Sequence, residues 1–552
     1  MDLATHVAEV LARLGVDKVF GVVGSGNFHV TNALIAAGAQ YVPAAHEGGA
    51  ATMADAYARA SGRVGVLTVH QGPGLTNALT GIAEAAKSRT PLIVLAPEAT
   101  SPRSNFYIDL QGAALAVGAD FHRVRAASAT DDVMTAWRLA TFGLGGTVVL
   151  GLPLDEQGAE VTNEPVEVVE VSVAADPEAA ELAPLIEALR DARRPVFIAG
   201  RGAARVPSAA SRATLVRLAD RCGALLATSA AAKGLFAGEP WDLDVSGGFA
   251  SPLAAELIAD ADVIVAWGCS LNMWTTRHGR LIPADATVVR IDHDLGALDQ
   301  PLIAPAAHDI RVRGDVRRVA ELMLAQLGDH HPQTWRTPEL QAHLSASVRW
   351  RDVPFHDEST DYRIDPRVLT IALDDMLPRD RVVAVDSGNF MGYPAMFLSV
   401  PDAAGFCFTQ AYQSIGLGLS SAIGAALAHP DRLTVAALGD GGALMSVAEL
   451  TTVTRLGLPL VILVYNDAAY GAEVHHFGPD GFPLTTVQFP EPHMAAIAEG
   501  FGVTGVTIRR RSDLHEVQEW LDGPRDRALV IDAKITSEHG SWWLEEAFHG
   551  HA

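Results

Sequence analysis

Two short groups of residues in the last quarter of the chain have the types and spacing of a site for a metal ion and a phosphate. Gly439-Asp440-Gly441 is followed, after 24 intervening residues, by Asn466-Asp467. Magnesium prefers oxygen ligands and usually keeps phosphate oxygens in its shell, so two side-chain oxygens, a backbone carbonyl and a diphosphate would fill an octahedron. Glycines allow backbone N–H groups to approach a phosphate closely. The pattern therefore predicts a site for a magnesium-bound diphosphate.

The residues around these groups predict the elements that must bring them together. Four consecutive segments connect them: an apolar run at 433–438, a glycine turn at 439–442, a helical segment at 446–456 and a second apolar run at 460–465. This order is typical of a strand, a helix and a parallel strand. Parallel neighbours present their carboxyl ends on one edge of the sheet, so we expect Asp440 and Asp467 to converge there. Taken singly, either group would be an ordinary turn or loop.

With these motifs the chain resembles the thiamine diphosphate enzymes of the acetolactate synthase and 2-oxoacid decarboxylase superfamily, which includes benzoylformate decarboxylase. The motif of that family is GDG, about 25 residues, then NN. The resemblance implies that Asp440, Asp467 and the backbone carbonyl of Ala469 bind the metal. Asp467 stands where the family has its second Asn, which keeps an oxygen ligand but adds negative charge beside the diphosphate. We expect Mg²⁺ binding to survive, and the added charge could change which metal is preferred.

Length, charge and cysteine content restrict the other classes of function. At 552 residues the chain is too long for one core and fits three domains. Its 41 Lys and Arg against 65 Asp and Glu give a net charge of −24, which argues against nucleic-acid binding and docking to anionic membranes. Cys222, Cys269 and Cys407 are too few and too scattered for a disulfide framework or a zinc site. No signal peptide is visible, so we expect a cytoplasmic location.

The chain is expected to adopt an α/β fold with three open parallel-sheet domains. Each part alternates apolar strand candidates with helical patterns. Two stretches without clear periodicity, 158–182 and 328–362, separate the parts. We therefore predict domains at 1–165, 183–328 and 355–552. The resemblance implies that these are a pyrimidine-binding, a middle and a diphosphate-binding domain.

Glu47 is the key candidate of the first domain. It lies at the start of a predicted helix, after a strand candidate at 41–43, where a glutamate also interacts favourably with the helix dipole. The resemblance implies a further role, because family members carry a Glu here that hydrogen-bonds N1′ of the aminopyrimidine. That bond helps to generate the 4′-imino group, which removes the C2 proton of the thiazolium. The protein would thus activate a carbanion that belongs to the cofactor.

Three further residues of the first domain give mixed indications about the reaction. His70, in a loop after the strand candidate at 64–69, matches an active-site histidine of benzoylformate decarboxylase. Ser25 matches a polar substrate-side residue of the decarboxylases, whereas Gln111 matches a glutamine that acetolactate synthases place near the reacting carbon. A plain strand-to-helix turn explains the glycines after His70 but not the histidine. We expect Asn77 to begin the following helix.

The third domain supplies the remaining candidates through the same resemblance. Ile415 is expected to be the apolar wedge that bends thiamine into a V shape, and the carbonyl of Gln413 to accept from the 4′-amino group. Taken alone, Ile415 would be an ordinary core residue. Glu473 matches a catalytic Glu of pyruvate decarboxylase and could steer protonation, or it could be a solvated residue in a first helical turn. Further cofactor contacts are expected from Gly439, Gly441, Gly442, Tyr470 and Gly471.

The middle domain carries a Gly200-Arg201-Gly202 turn, which is a weak indication of a dinucleotide site. A third glycine is missing, no acidic residue is plainly placed to bind a ribose, and residues 235–252 do not match the flavin-binding loop of acetolactate synthases. We therefore expect no FAD. A flavin- or nicotinamide-dependent oxidoreductase that uses this turn is the alternative from another class.

Together these patterns predict a thiamine diphosphate- and Mg²⁺-dependent enzyme acting on a small 2-oxoacid. The first hypothesis is decarboxylation with carboligation of the resulting enamine to a second carbonyl, an aldehyde or ketone, as in acetolactate synthases. The alternative is simple decarboxylation with release of an aldehyde, which Ser25, His70 and Glu473 favour. The family combines the Glu47 domain of one subunit with the metal loop of another, which implies a homodimer or homotetramer. The tail at 542–544 is expected either to cover the site or to pack against a neighbour.

Overall fold

The part of the chain that the computed structural model describes forms three six-stranded parallel sheets, each flanked by helices. The described residues are 1–143, 145–161, 176–205, 207–328 and 335–544. The predicted α/β fold with three open parallel-sheet domains is confirmed. Most of the predicted separator at 158–182, with the boundary at 165, lies outside the described residues. No helix among the described residues is both long enough and apolar enough to cross a membrane.

The first domain has the strand order β2-β1-β3-β4-β6-β5. Its strands are β1 (Lys18–Gly21), β2 (Gln40–Pro43), β3 (Gly65–Thr68), β4 (Leu92–Glu98), β5 (Asp120–Arg123) and β6 (Thr147–Pro153). Its helices are α1 (Leu3–Arg13), α2 (Phe28–Ala36), α3 (Glu47–Ser61), α4 (Pro73–Lys87), α5 (Leu110–Ala116) and α6 (Ala129–Thr141). Strands β3, β4 and β6 are buried along their whole length, as expected for parallel strands covered by helices on both faces.

The middle domain has the strand order β12-β11-β10-β7-β8-β9. Its strands are β7 (Pro195–Ala199), β8 (Leu225–Thr228), β9 (Asp242–Val245), β10 (Val263–Trp267), β11 (Thr287–Asp292) and β12 (His308–Arg313). Its helices are α7 (Ala179–Asp191), α8 (Arg201–Ala204), α9 (Ala209–Cys222), α10 (Pro252–Ala259), α11 (Met273–Thr276), α12 (Leu295–Asp299), α13 (Val316–Leu327) and α14 (Pro338–Ser347). Helix α14 falls within the predicted separator at 328–362, yet it packs on this domain because Leu344 joins the core beside β10.

The third domain has the strand order β14-β13-β15-β16-β18-β17. Its strands are β13 (Arg381–Val385), β14 (Phe406–Phe408), β15 (Leu433–Gly439), β16 (Val461–Asn466), β17 (Thr504–Ile508) and β18 (Leu529–Lys534). Its helices are α15 (Pro366–Met376), α16 (Gly392–Phe397), α17 (Gly418–Ala428), α18 (Asp440–Met445), α19 (Leu450–Leu456), α20 (Gly471–Phe477), α21 (Met494–Gly500) and α22 (His515–Asp522). The predicted parallel pair of strands is present as β15 and β16, with Gly439 opposite Tyr465.

The predicted glycine turn at 439–442 is wrong in one respect. Strand β15 passes directly into helix α18, so Asp440 is already helical. A 3₁₀ turn, Val447–Glu449, then connects α18 to α19. The predicted helix at 446–456 is therefore the second part of a broken helical crossover that starts at the carboxyl end of the strand.

The first and third domains share one apolar core through helices α3 and α17. Both helices are rich in small residues, which lets their backbones approach closely. A Cβ atom on Gly424 of α17 would overlap the carbonyl oxygen of Met53 in α3. Glycine at this position is therefore required by the approach of the two helices. The contact between these helices holds the first domain directly against the third.

Candidate active site

A cavity of about 870 Å³ lies at the carboxyl edge of the third sheet. Its volume is in the upper part of the range that small-molecule and cofactor sites occupy. The predicted site residues of the third domain all line it: Gln413, Ile415, Gly439, Asp440, Gly441, Gly442, Asp467, Ala469, Tyr470, Gly471 and Glu473. The crossover between parallel strands thus brings together groups that are up to 60 positions apart in the sequence, from 413 to 473.

Asp440, which is buried, and Asp467, which is partly buried, form a pair of carboxylates at this edge. The N–H groups of Gly441 and Ala468 donate to Asp440, at 2.8 and 2.7 Å. Burial raises the pKa of Asp440 to about 6, although these two N–H groups act in the opposite direction. Burial and the charge of Asp440 raise the pKa of Asp467 to about 8. Two adjacent carboxylates that are costly to ionise together provide a suitable environment for a cation.

The donor set fits a hard divalent cation that shares its shell with a diphosphate. Among the described residues, the pair is joined by no third Asp, Glu, His or Cys side chain that could complete a metal site. Magnesium typically takes only one or two carboxylates and fills its shell with phosphate oxygens and water. Ala468 has a φ of 60°, in the left-handed region, and this bend carries the chain from Asp467 to the predicted carbonyl ligand, Ala469.

Glycines beside the carboxylates keep the cavity open and the loops close together. A Cβ atom on Gly441 would lie 2.6 Å from Cε1 of Tyr470, and one on Gly471 would lie 2.5 Å from Oδ2 of Asp467. Helix α18 starts at Asp440, so its first N–H groups face the edge of the sheet where an anion would be stabilised. These contacts give the glycines a packing role in addition to the predicted approach to phosphate.

Asp386 organises the site and was not predicted from the sequence. It follows β13 and is fully buried. Its carboxylate accepts N–H groups of Ser387, Gly416 and Leu417 at 2.9, 3.0 and 3.2 Å. Burial raises its pKa to about 6, while these N–H donors lower it. Its position at the end of a strand on the same edge is the signal that could have identified it.

The tail at 541–544 closes one side of the cavity. The N–H of Ser541 donates to Oδ1 of Asn389 at 2.9 Å, and Nε1 of Trp543 donates to the Asn389 carbonyl at 2.8 Å. The Trp543 ring is buried and lies 5.9 Å from the ring of Trp274 in the middle domain. Trp543 and Leu544 line the cavity, whereas Trp542 is exposed. The described part of the tail thus packs against the middle domain and forms part of the cavity wall.

The predicted residues of the first domain lie elsewhere. Glu47 begins α3, is partly buried, and accepts a hydrogen bond from Nδ2 of Asn77 at 3.1 Å. The prediction for Asn77 is wrong, since α4 already begins at Pro73 and places Asn77 in its second turn, against Glu47. No described residue of the first domain lines the cavity of the third domain.

Ser25 and His70 belong to one group of loops, while Gln111 lies on α5. The N–H of Gly26 donates to Nδ1 of His70 at 3.3 Å, next to the exposed Ser25. The His70 ring meets the edge of the Phe106 ring at 5.3 Å between centroids. Gln111 is exposed. Glu473 is exposed in the first turn of α20 and also lines the cavity, and its role in protonation stays a prediction.

The middle-domain turn is explained by packing. A Cβ atom on Gly200 would overlap the carbonyl oxygen of Gly268, and one on Gly202 would lie 2.8 Å from Cα of Gly268. The two glycines are therefore needed for contact with the end of β10. A cavity of about 620 Å³ adjoins the turn. The absence of FAD stays a prediction.

Comparison with known families identifies all three parts of the chain. Family models of the thiamine pyrophosphate enzymes match the N-terminal TPP binding domain at residues 1–115, the central domain at 182–323 and the C-terminal TPP binding domain at 386–533. The first model includes Glu47, and the last includes Asp386 and the cavity residues from Ser387 to Glu473.

Named relatives resemble the chain over nearly its whole length. An acetolactate synthase large subunit of Parasynechococcus marenigrum is 28% identical, covering 93% of this chain and 84% of the relative. A probable 2-ketoarginine decarboxylase of Pseudomonas aeruginosa is 29% identical, covering 93% and 90%. A sulfoacetaldehyde acetyltransferase of Alcaligenes xylosoxydans xylosoxydans is 28% identical, covering 98% and 94%. With three matching domains in the expected order and relatives that are all enzymes, the chain belongs to the thiamine pyrophosphate enzyme family and is an enzyme that uses thiamine diphosphate.

Proposed function

We propose that this enzyme uses thiamine diphosphate and Mg²⁺ to decarboxylate a 2-oxoacid and joins the remaining fragment to a second carbonyl compound. The observation that carries the proposal is that Asp440 and Asp467 lie at the start of helix α18 and line a cavity of about 870 Å³. Two carboxylates beside a helix that continues with Gly441 and Gly442 are suited to a cation and the diphosphate that it accompanies.

Each group of residues has a distinct role in this proposal. Asp440, Asp467 and the carbonyl of Ala469 hold the metal, and the N–H groups that follow Gly441 at the start of α18 hold the diphosphate. Ile415 and the carbonyl of Gln413 orient the thiamine. When bound, thiamine diphosphate supplies a carbanion that adds to the ketone of the substrate. The tail with Trp543 limits access of water, which strengthens electrostatic interactions inside the cavity.

A second copy of the chain completes the site. Glu47 is partly exposed, and no described residue of the first domain lines the cavity that contains Asp440. We therefore propose a homodimer, or a homotetramer built from such dimers, in which Glu47 of one subunit faces the metal residues of another. Glu47 then holds a proton at its carboxylate and exchanges it with the aminopyrimidine.

Release of an aldehyde is the second candidate reaction. The placement of His70 favours it, since its ring is partly buried beside Ser25 and could donate or accept a proton. A relative named as a probable 2-ketoarginine decarboxylase supports the same candidate. The relatives named as acetolactate synthase and sulfoacetaldehyde acetyltransferase support transfer to an acceptor.

Product analysis distinguishes the two reactions. Purified enzyme with thiamine diphosphate and Mg²⁺ would be incubated with pyruvate and with benzoylformate, each with and without an added aldehyde, beside Asp440→Ala as the inactive control. A product longer than the decarboxylated fragment supports carboligation, and aldehyde alone supports the second candidate. Carbon dioxide release that Asp440→Ala leaves unchanged would contradict both. An absorption spectrum of the purified protein would show whether flavin is bound.

A further inference from the structure

The first and third domains are built on the same strand order. In each sheet the second strand in sequence lies at one edge beside the first strand, which is followed by the third and fourth, the sixth and the fifth. Strands β2 and β14 therefore correspond, as do β3 and β15. The loop before α3 in the first domain corresponds to the loop before α17 in the third, and α4 corresponds to the crossover formed by α18 and α19.

Glu449 of the third domain holds the loop that carries Glu47. It ends the 3₁₀ turn between α18 and α19 and is almost fully buried. Its carboxylate accepts the N–H groups of Ala45 and His46, both at 3.1 Å. A third donor, the Thr452 hydroxyl, fixes the carboxylate at 2.7 Å. Both oxygens are thus engaged, and the residue next to the contacted pair is Glu47.

Glu84 of the first domain makes the corresponding contact in the other direction. It lies near the end of α4, is fully buried, and accepts the N–H groups of Ala411 and Tyr412 at 3.1 and 2.6 Å. The residue next to this contacted pair is Gln413. Corresponding elements of the two domains thus each hold the other domain's loop through a buried carboxylate, although Glu84 also pairs with Arg59 at 2.8 Å.

Gly49 shows that the contact of Glu449 is tightly fitted. A Cβ atom on Gly49, in the first turn of α3, would overlap Oε1 of Glu449. The carboxylate therefore lies against the start of the helix that Glu47 begins. Glu449 thus contacts the chain on both sides of Glu47, at His46 and at Gly49.

We propose that Glu449 is a positioning residue for Glu47, tying the loop of the proton-exchanging carboxylate to the crossover that begins with the metal residue Asp440. This inference rests on the proposed function. A carboxylate can accept two converging N–H groups, one on each oxygen. A glutamine has one acceptor oxygen and presents N–H groups to the second donor, so it cannot hold both N–H groups of the loop.

The test separates positioning of Glu47 from cofactor binding. Glu449→Gln, Gly49→Ala and the control Glu499→Gln, which changes an exposed carboxylate on α21, would be compared with wild type in the full-length enzyme. Three quantities are measured: the Kd of thiamine diphosphate with Mg²⁺ by calorimetry, the rate of C2 proton exchange in the bound cofactor by NMR, and the thermal midpoint.

We expect Glu449→Gln and Gly49→Ala each to slow C2 exchange at least tenfold while the Kd changes less than threefold, and Glu499→Gln to match wild type. Exchange at the wild-type rate in both variants would overturn the inference. Parallel loss of affinity, exchange and thermal midpoint in both variants would indicate a general structural role and would also overturn it. Absence of binding or exchange in wild type would instead contradict the proposed function.

Discussion

Replacing Asp467 with Asn should make the stability of the metal-free protein less dependent on pH. Burial and the charge of Asp440 raise the pKa of Asp467 from the ordinary value of 3.8 to about 8. Between these values the folded protein retains a proton that the unfolded chain has released, so stability falls as the pH rises. Each pH unit in this window costs about 1.4 kcal/mol. From pH 6 to pH 8 the contribution of Asp467 to the free energy of unfolding should therefore fall by about 2 kcal/mol, since the group is already half ionised at pH 8.

Urea unfolding of metal-free protein at pH 6 and pH 8 measures this difference. Wild type and the control Asp480→Asn, which changes an exposed aspartate of the same domain, should both show the full loss. Asp467→Asn should lose about 2 kcal/mol less than wild type over this range, because an amide does not titrate there while the other buried carboxylates still do. Saturating Mg²⁺ should reduce the loss in wild type, since a cation stabilises the ionised pair. An equal pH dependence in wild type and Asp467→Asn would refute the reasoning.

Two further predictions concern the walls of the cavity. Gly441→Ala places a Cβ atom 2.6 Å from Cε1 of Tyr470, so calorimetry should show at least a tenfold weaker affinity for thiamine diphosphate, about 1.4 kcal/mol. The control Gly500→Ala, where the added carbon meets open space, should bind as wild type does. Equal affinities of the two variants would contradict the packing argument. Trp543→Ala should lower the free energy of unfolding by about 3–5 kcal/mol, whereas Trp543→Phe, which loses mainly the hydrogen bond to Asn389, should lower it by about 1 kcal/mol. Urea unfolding of both variants measures the difference. An unchanged free energy of unfolding in Trp543→Ala would contradict this prediction.

The sheets, and the meeting of Asp440 and Asp467 at one sheet edge, could be predicted because their signals are local. Parallel strands buried on both faces appear as short apolar runs, and the residues that follow them must emerge on one edge. This rule placed Asp440 and Asp467 together without knowledge of the rest of the fold. Asp386 follows β13 on that edge, so the same rule could have identified it.

Residues that act through distant backbone groups could not be predicted. Glu449 contacts the N–H of His46, 403 positions away, and Glu84 contacts that of Tyr412, 328 positions away. Every residue except proline has such an N–H, so the partner leaves no pattern in the sequence. Helix α14 was not predicted because its segment is mostly polar and Leu344 is its buried residue.

The most direct test of the central claim is calorimetric titration of metal-stripped protein with thiamine diphosphate, with and without Mg²⁺, beside Asp440→Ala and Glu47→Gln. We expect wild type to bind only when Mg²⁺ is present and Asp440→Ala to lose this binding. Glu47→Gln should bind the cofactor but fail to exchange its C2 proton, as NMR would show. Equal binding by wild type and Asp440→Ala, or wild-type exchange in Glu47→Gln, would contradict the assignment of the two half-sites.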